Sequence, residues 1–293
     1  MDAKTRRPLA PATLLLIALA AGIPVLVSPA AGNELLGAKS VEPPAPHPLA
    51  PVLKMAEEGY DRIGREVKDY TCRIIRRERH DGKLRGYEFL SAKIRHEQKN
   101  EAGTTPFSVY LHFDKPRKVA GREVLFLEGR NAGRLLVRRG GTRLAYVTTF
   151  LKPTSELAMQ ESRYPVTDIG IQRLIGRLAE VARADMRHGE CNVQFFEGAK
   201  IGDRECTRIL VEHPVRRKHF LYHRAIVFID KQRQIPLAYA SYTWPEQPGG
   251  KPVLMEEYIY ADVELNVGLT DDDFDRANPS YAFLKKDTAL AGN

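Results

Sequence analysis

The chain has 293 residues, of which 43% are hydrophobic and 28% are charged, and its formal net charge is +8. This hydrophobic content excludes a disordered chain, and the length allows one large domain or two small ones. The mild positive charge favours anionic partners such as lipid head groups, and its alternative reading is a solvated basic surface.

The start of the chain has the pattern of a secretion signal. A positive segment that ends at Arg6 and Arg7 precedes an apolar run at 14–27, and small residues follow it. The run is short for a membrane-spanning helix, and Pro24 interrupts it. We therefore predict that residues 1–31 are a cleaved signal peptide and that the protein is exported to the periplasm or cell envelope. An uncleaved N-terminal anchor is the alternative.

A proline-rich linker is predicted at 32–51, because closely spaced prolines give an extended tether. From Val52 to Val67 apolar residues recur at helical spacing with charges between them, which predicts an amphipathic helix. Strands are then predicted at 70–79 and 87–98, and Asp81-Gly82 suits the turn after the first of them.

The stretch 105–150 has the rhythm of an antiparallel meander, with about ten residues per strand and turn. Its first strand alternates apolar and polar residues, which is typical of one buried face. The run 124–127 is apolar throughout, so both faces of that strand should be covered. Two further strands are predicted at 135–137 and 144–149.

A central helix is predicted at 171–186, with Thr167 or Asp168 as its cap and Gly189 at its end. A second set of strands then follows, at 191–197, 206–212, 220–230, 235–243 and 253–263. After them, Thr270 can cap one helical turn that ends at Phe274.

Motifs of hydrolases and nucleotide-binding proteins are missing from the sequence, so we predict no catalytic residue and no cofactor. His219 and His223 lie in a strand pattern about 13 Å apart, which is too far for a shared zinc ion. Glu256 and Glu257 point to opposite faces of a strand and cannot act as a carboxylate pair.

Asp271, Asp273 and Asp275 resemble the start of a calcium loop, but Arg276 and Ala282 occupy the positions that need glycine and glutamate. A capped helical turn explains these carboxylates better, because a helix N-terminus favours negative charge. No metal site is predicted.

The three cysteines are Cys72, Cys191 and Cys206. In an oxidising compartment a pair can form a disulfide, and Cys191 with Cys206 is the better pair because the two lie on successive strands. The alternative is three buried free thiols.

A surface basic patch is predicted at Arg216, Arg217 and Lys218, in a loop before the strand at 220–230. It can contact lipid phosphate peripherally at a membrane, or a charged envelope protein. The alternative is a solvated loop that protects a sheet edge. Nucleic acid is not a predicted partner, since the protein is exported.

Several segments together resemble an uncharacterised family of exported planctomycete proteins, the domain of unknown function DUF1571. The resemblance covers about residues 50 to 284 and implies no known activity. It is carried by Asp69-Tyr70-Thr71-Cys72, Pro106-Phe107-Ser108-Val109-Tyr110-Leu111, Gly121-Arg122-Glu123-Val124-Leu125-Phe126, Asp273-Phe274-Asp275 and Asn278-Pro279-Ser280-Tyr281.

The order of elements also resembles the layout of the outer-membrane lipoprotein carrier LolA and its relatives. That resemblance implies an open, curled antiparallel sheet with helices on its concave side and a cavity that holds acyl chains. It concerns layout alone, so no functional residue is carried over.

We therefore predict a mainly β protein with helices (α+β). Its single domain at 52–284 is a curled, antiparallel, LolA-like open half-barrel with helices on the concave face, and 285–293 is a flexible tail.

The predicted function is an envelope protein that holds a lipid, a lipoprotein acyl chain or another apolar ligand. A module that docks or senses another envelope protein is the alternative, and a secreted enzyme is the third reading. The cavity candidates, whose alternative is plain core, are Phe107, Val109, Leu111, Phe113, Leu125, Leu127, Phe228 and Tyr239.

Overall fold

A wide antiparallel sheet dominates the computed structural model, which describes residues 46–101 and 103–284. The predicted signal peptide, most of the predicted linker and the predicted tail lie outside these residues. Within them, the strands are β1 (Asp69–His80), β2 (Lys83–Leu84), β3 (Glu88–Arg95), β4 (Gln98–Asn100), β5 (Gly103–Thr105), β6 (Ser108–Lys115), β7 (Glu123–Leu127), β8 (Leu135–Arg138), β9 (Thr148–Leu151), β10 (Asn192–Ile201), β11 (Arg204–Glu212), β12 (Arg224–Asp230), β13 (Pro236–Thr243) and β14 (Val253–Leu265).

The order of strands across the main sheet is β10-β11-β12-β13-β14-β1-β3-β6-β7-β8-β9. Strand β2 pairs with β1, and β4 and β5 form a separate hairpin. Each half of the sheet is a meander of sequence neighbours, and the halves meet where β14 pairs with β1. In the described part of the chain the outer strands β10 and β9 do not pair, so the sheet is open and not closed into a barrel.

Three α-helices complete the described residues: α1 (Ala50–Glu66), α2 (Glu156–Met159) and α3 (Ile171–Asp185). The first begins two residues before the predicted start. Helices α1 and α3 pack antiparallel, since Arg183 contacts Glu57 at 2.5 Å whereas Gln172 donates to the carbonyl of Tyr60 at 3.4 Å.

The path of the chain explains why helices cover one face of the sheet. Strands β9 and β10 lie at opposite edges, so residues 152–191 must cross its full width. They do so on the concave face and carry α2 and α3 with them. The predicted open antiparallel sheet with helices on its concave face is therefore confirmed.

The cap predicted for the central helix is wrong. Residues Val166–Asp168 form a separate 3-10 turn, and the N-cap of α3 is Gly170, whose φ of 113° suits glycine. The hydroxyl of Tyr70 accepts the hydrogen bond from the backbone nitrogen of Ile171 at 2.8 Å. A side chain of the sheet thus supplies the cap that the local sequence lacks.

Two strand predictions also differ from the structure. The strand predicted at 144–149 begins only at Thr148, since Leu144 has a positive φ of 54° and belongs to the turn. The strand predicted at 220–230 begins at Arg224. Phe220 precedes it in a loop, where its ring stacks on His213 at 3.8 Å.

The C-terminal segment covers part of the convex face. Thr270 forms a capping box with Asp273, as the predicted cap requires. Beyond it, Phe274, Tyr281 and Phe283 pack on Leu125 and its neighbours in a separate apolar cluster. Both faces of β7 are therefore buried, since Val124 on the other face lies in the main core.

The predicted disulfide between Cys191 and Cys206 is not formed, and all three cysteines are buried free thiols. Cys206 pairs in register with Ala199, whereas Cys191 immediately precedes Asn192 at the other end of β10. The eight residue steps from Cys191 to Ala199 correspond to about 26 Å of strand, far beyond the Cα separation of a disulfide.

Candidate ligand cavity

A cavity of about 1110 Å³ lies between the concave face of the sheet and the helices. Strands from both halves of the sheet line one side, and α1, α3 and the segment 153–169 line the other. Its position follows from the β1 and β14 pairing, which places both meanders under the same helix pair.

The predicted cavity residues divide into three groups. Leu111, Phe113 and Tyr239 line the cavity. Phe107 and Val109 share the concave side with Leu111 but are fully packed in the core with Ile63, Ile171 and other residues of the helices. They are core because the antiparallel helix pair fills that end of the face.

Three predicted cavity residues are outside the lining. Leu125 packs under the C-terminal segment on the convex side, and Leu127 borders the same cluster. Phe228 points to the opposite face of β12 from its neighbours Val227 and Ile229, and only these two neighbours line the cavity. An apolar run does not reveal which of its two faces looks into a cavity.

Several lining residues were not among those predicted. Strands β11 and β12 contribute Ile209, Val211, Ala225 and Val227, and helix α3 contributes an apolar stripe. The stripe consists of Leu174, Ile175, Leu178, Val181 and Ala182. The period-two pattern of β12 and the helical period of α3 were signals that could have identified both groups.

Exposed apolar side chains surround the cavity opening. Leu157 on α2 is 61% exposed, Leu221 before β12 is 67% exposed, and Met55 on α1 is also exposed. An apolar rim of this kind is typical of a site that receives an apolar group.

A row of polar contacts lines one end of the cavity. Residues 160–164, which we call the crossing segment, run across the strands there. Glu161 accepts a hydrogen bond from Arg122 at 2.5 Å, and Ser162 accepts one from Arg76 at 3.2 Å. Arg163 donates to Glu256 at 2.9 Å. Successive residues therefore engage successive parts of the sheet.

Buried charges hold this end together. Arg76 donates twice to Glu88, at 3.1 and 3.0 Å, and contacts Glu78 at 3.4 Å. Burial alone would lower the pKa of Arg76, but Glu78 and Glu88 raise it above its ordinary value. Glu78 also accepts hydrogen bonds from the Tyr258 hydroxyl and from the backbone of Arg163.

Glu256 lies directly opposite Glu78 in the register of β14 and β1 and is 2% exposed. Besides Arg163, its donors are the hydroxyls of Tyr164 at 2.9 Å, Ser241 at 2.8 Å and Tyr239 at 3.3 Å. Burial and then the charge of Glu256 raise the pKa of Tyr164. Tyr164 and Tyr239 therefore stay protonated and serve as hydrogen-bond donors.

Glu257 points away from this network, as predicted, and bonds Arg77 and Tyr87 on the other face. The arrangement around the cavity can thus hold an apolar chain along the sheet, with a polar, charged end beside the crossing segment.

The other predicted positions lie away from the cavity wall. Arg216, Arg217 and Lys218 are exposed, and Arg217 pairs with Glu190 at 2.8 Å. His219 stacks on His188, whereas His223 is buried and bonds the carbonyl of His213.

Asp273 bonds Thr270 and Lys93, as expected of a cap and a surface pair. Among residues 46–101 and 103–284, no group of three or more His, Cys, Asp or Glu side chains could hold a metal ion. Over those same ranges, none of the helices has the length and apolar character needed to cross a membrane.

The fold and the cavity together define an open antiparallel sheet protein whose concave face encloses an apolar chamber. The chain belongs to the DUF1571 family, described as protein of unknown function, whose model matches residues 67–283. No curated protein matches the chain.

Solved structures give distant likenesses. The lipoprotein LppX of Mycobacterium tuberculosis is 13% identical, with 77% of this chain and 100% of that chain covered and a TM-score of 0.41. An outer membrane lipoprotein-sorting protein domain from Vibrio parahaemolyticus is 12% identical, with coverage of 76% and 95% and a TM-score of 0.38. A LolA superfamily protein from Nitrosomonas europaea is 10% identical, with coverage of 76% and 97% and a TM-score of 0.29. At these TM-scores the likeness carries no argument about function.

Proposed function

We propose that the protein is an exported binding protein that holds an apolar or amphiphilic ligand, such as a lipid or a lipoprotein acyl chain, in this cavity. The supporting observation is the unfilled volume of about 1110 Å³ beneath the helices. Protein interiors are close-packed, and ligand sites are typically apolar clefts of about 300–1,000 Å³.

The lining supports an apolar guest. Leu111, Phe113, Val227, Leu178 and Val181 present aliphatic and aromatic surface from both sides of the chamber. Exposed Leu157 and Leu221 at the rim extend that surface to solvent. Removing such surface from water favours binding by about 25 cal/mol per Å² of apolar area.

The proposed export rests on the sequence of residues 1–31, where positive residues precede a short apolar run. Peripheral membrane contact through Arg216, Arg217 and Lys218 remains a prediction, as does docking of an envelope protein there. The exposure of that loop is compatible with both.

A fluorescent apolar probe tests the proposal directly. The mature protein should bind N-phenyl-1-naphthylamine with a rise in emission, and a fatty acid or phospholipid should displace it. Leu178→Trp, on the cavity face of α3, should weaken probe binding about tenfold, which is about 1.4 kcal/mol. Ala184→Trp is the matched control, because Ala184 is exposed on the same helix and is not part of the lining.

Unchanged binding in a folded Leu178→Trp protein would contradict the proposal, and so would a wild-type protein that binds neither probe nor lipid. A second measurement is native mass spectrometry of protein purified from a bacterial envelope. Copurified lipid that is lost in Leu178→Trp and kept in Ala184→Trp is the expected result.

A further inference from the structure

One end of the cavity carries an excess of positive charge. Arg85, Lys118 and Arg122 lie around a single carboxylate, Glu161, and Arg139 adjoins Arg122. We call these four cations the basic rim. Arg122 and Arg139 line the cavity together with Glu161. The two arginines are adjacent, since the Nε of Arg122 donates to the carbonyl of Arg139 at 3.1 Å.

Three cations of the basic rim act together on Glu161. Burial alone would raise the pKa of Glu161, but the hydrogen bond and charge of Arg122, with the charges of Lys118 and Arg85, lower it. Arg85 also donates to the carbonyl of Gln160 at 3.1 Å, which places it beside the crossing segment. Three cations thus surround a site that one carboxylate occupies, and Arg139 lines the cavity next to Arg122.

Arg122 joins the charged rim to the apolar chamber. Its guanidinium lies over the ring of Phe113 at 5.3 Å, and Phe113 lines the cavity. The Arg122 side chain is 19% exposed and that of Glu161 is 37% exposed, so solvent reaches the ion pair. Within residues 46–101 and 103–284, the side chain of Arg139 makes no ion pair at all.

Glu161 also differs from its neighbours in the crossing segment. Arg163 bonds the 2% exposed carboxylate of Glu256, and Ser162 bonds the buried Arg76. Glu161 is the exposed end of this row, so another anion can replace its carboxylate with little disturbance to the buried contacts.

We propose that the ligand of this cavity is an anionic amphiphile whose head group binds Arg122 and Arg139 in place of the Glu161 carboxylate. The tail lies along Phe113 and the apolar lining. This inference rests on the proposed function, because it identifies the class of ligand for the same cavity. A phosphate or a carboxylate head group satisfies the chemistry, since arginine binds both with paired hydrogen bonds.

Ligands with one tail and different head groups test the inference. Isothermal titration of the mature protein compares dodecyl phosphate, dodecanoate, dodecanol and dodecyltrimethylammonium. Both anions should bind at least about tenfold more tightly than dodecanol, the size of effect expected for a charge-assisted hydrogen bond. The phosphate and carboxylate arms show which head group is preferred, and inorganic phosphate alone should bind much more weakly than either anion.

Three variants locate the head group. Arg122→Gln should weaken binding of both anions by about tenfold and so remove most of their preference over dodecanol. Glu161→Gln should strengthen binding of the anions, since it removes the internal competitor but keeps the side-chain shape. Arg73→Gln is the matched control, because Arg73 is exposed on a strand outside the cavity lining and the change in net charge is the same.

The outcomes separate the two proposals. Equal affinity for all four amphiphiles, or preference for the cation, would overturn the anionic head group while the apolar cavity stands. If inorganic phosphate, which has no tail, bound as tightly as the anionic amphiphiles, that result would also overturn the inference and would indicate a site for free anions. If none of the four amphiphiles bound, that result would contradict the proposed function itself.

Discussion

The hydroxyl of Tyr70, in the middle strand of the sheet, accepts a hydrogen bond from the backbone nitrogen of Ile171 at the start of α3, at 2.8 Å. Both residues are 1% exposed. The contact attaches α3, which lines the cavity, to strand β1. It also takes the place of the side-chain cap that α3 lacks.

Tyr70→Phe should therefore destabilise the protein by about 1–3 kcal/mol, because the buried Ile171 N–H loses its acceptor. Urea unfolding followed by circular dichroism measures the change. Tyr60→Phe is the control, since Tyr60 is exposed on α1 and its substitution should change stability by less than about 0.5 kcal/mol. Equal effects of the two substitutions would contradict the capping role.

Neighbouring glutamates on β14 should respond very differently to substitution. Glu256→Ala should destabilise the protein by about 2–4 kcal/mol, because it leaves Arg163 and the hydroxyls of Tyr164 and Ser241 without their acceptor. Glu257→Ala, on the opposite face, breaks a partly exposed pair with Arg77 and should cost at most about 1 kcal/mol. Thermal unfolding of the two variants distinguishes them, and similar melting temperatures would disprove the burial argument.

Acid sensitivity should depend in part on Asp230. Burial alone would raise the pKa of this carboxyl, but hydrogen bonds from Arg204 and from the backbone of Arg233 and Gln232 hold it below its ordinary value. A lowered pKa means that the folded state favours the charged form. Its contribution to stability is therefore present above the unfolded pKa of about 3.9 and is lost as the pH falls through the folded value.

We expect the free energy of unfolding of the wild type to fall more steeply below about pH 4 than that of Asp230→Asn. Urea titrations between about pH 3 and pH 7 provide the comparison. Asp203→Asn, at an exposed turn between β10 and β11, is the control for the change in charge. Parallel curves for wild type and Asp230→Asn would refute the prediction.

The C-terminal segment should detach when its anchor is removed. Glu123 is 2% exposed and accepts the Ala282 backbone N–H with both carboxylate oxygens, at 3.0 and 2.9 Å. It also accepts the Tyr110 hydroxyl at 2.8 Å. Glu123→Ala should raise hydrogen exchange across 274–284 while the β1 amides stay protected. The control Glu128→Ala, on an exposed residue nearby, should leave that exchange unchanged.

The three thiols should be protected in the folded protein. Burial raises the pKa of Cys72 to about 12, and burial likewise raises the pKa of Cys191 and of Cys206. Thiolates are the reactive form, so alkylation of native protein should be slow. Denaturation without a reducing agent should then expose all three to iodoacetamide, as mass spectrometry would show. Alkylation of only one cysteine in the denatured protein would instead support the predicted disulfide between Cys191 and Cys206.

Local patterns predicted the elements that depend on near neighbours. The alternation from Phe107 to Phe113 predicted β6, and helical spacing from Ile171 onward predicted α3. The single buried face predicted for β6 is wrong, because Ser108 and Tyr110 on its other face are also buried, Tyr110 beneath the C-terminal segment. The carboxylates after Thr270 predicted the capped turn. In each case the residues that determine the structure lie within a few positions of one another.

Features that depend on distant residues could not be predicted in this way. The faces of Leu125 and Phe228 depend on the C-terminal segment and on the strand register, respectively. The contacts of the crossing segment join Arg163 to Glu256 across 93 positions. The separation of Cys191 from Cys206 depends on the lengths of β10 and β11, which the strand rhythm underestimated.

The pairing of the first and last strands at the middle of the sheet has a consequence for how the protein is assembled. Tyr70 pairs with Leu265, and Asn266 bonds the backbone of Lys68 at 2.7 Å. Each meander can form from neighbouring strands, whereas the two meanders can pair with each other only after β14 has been synthesised. The chamber between the sheet and the helices therefore cannot form until β14, the last strand in the described part of the chain, has paired with β1.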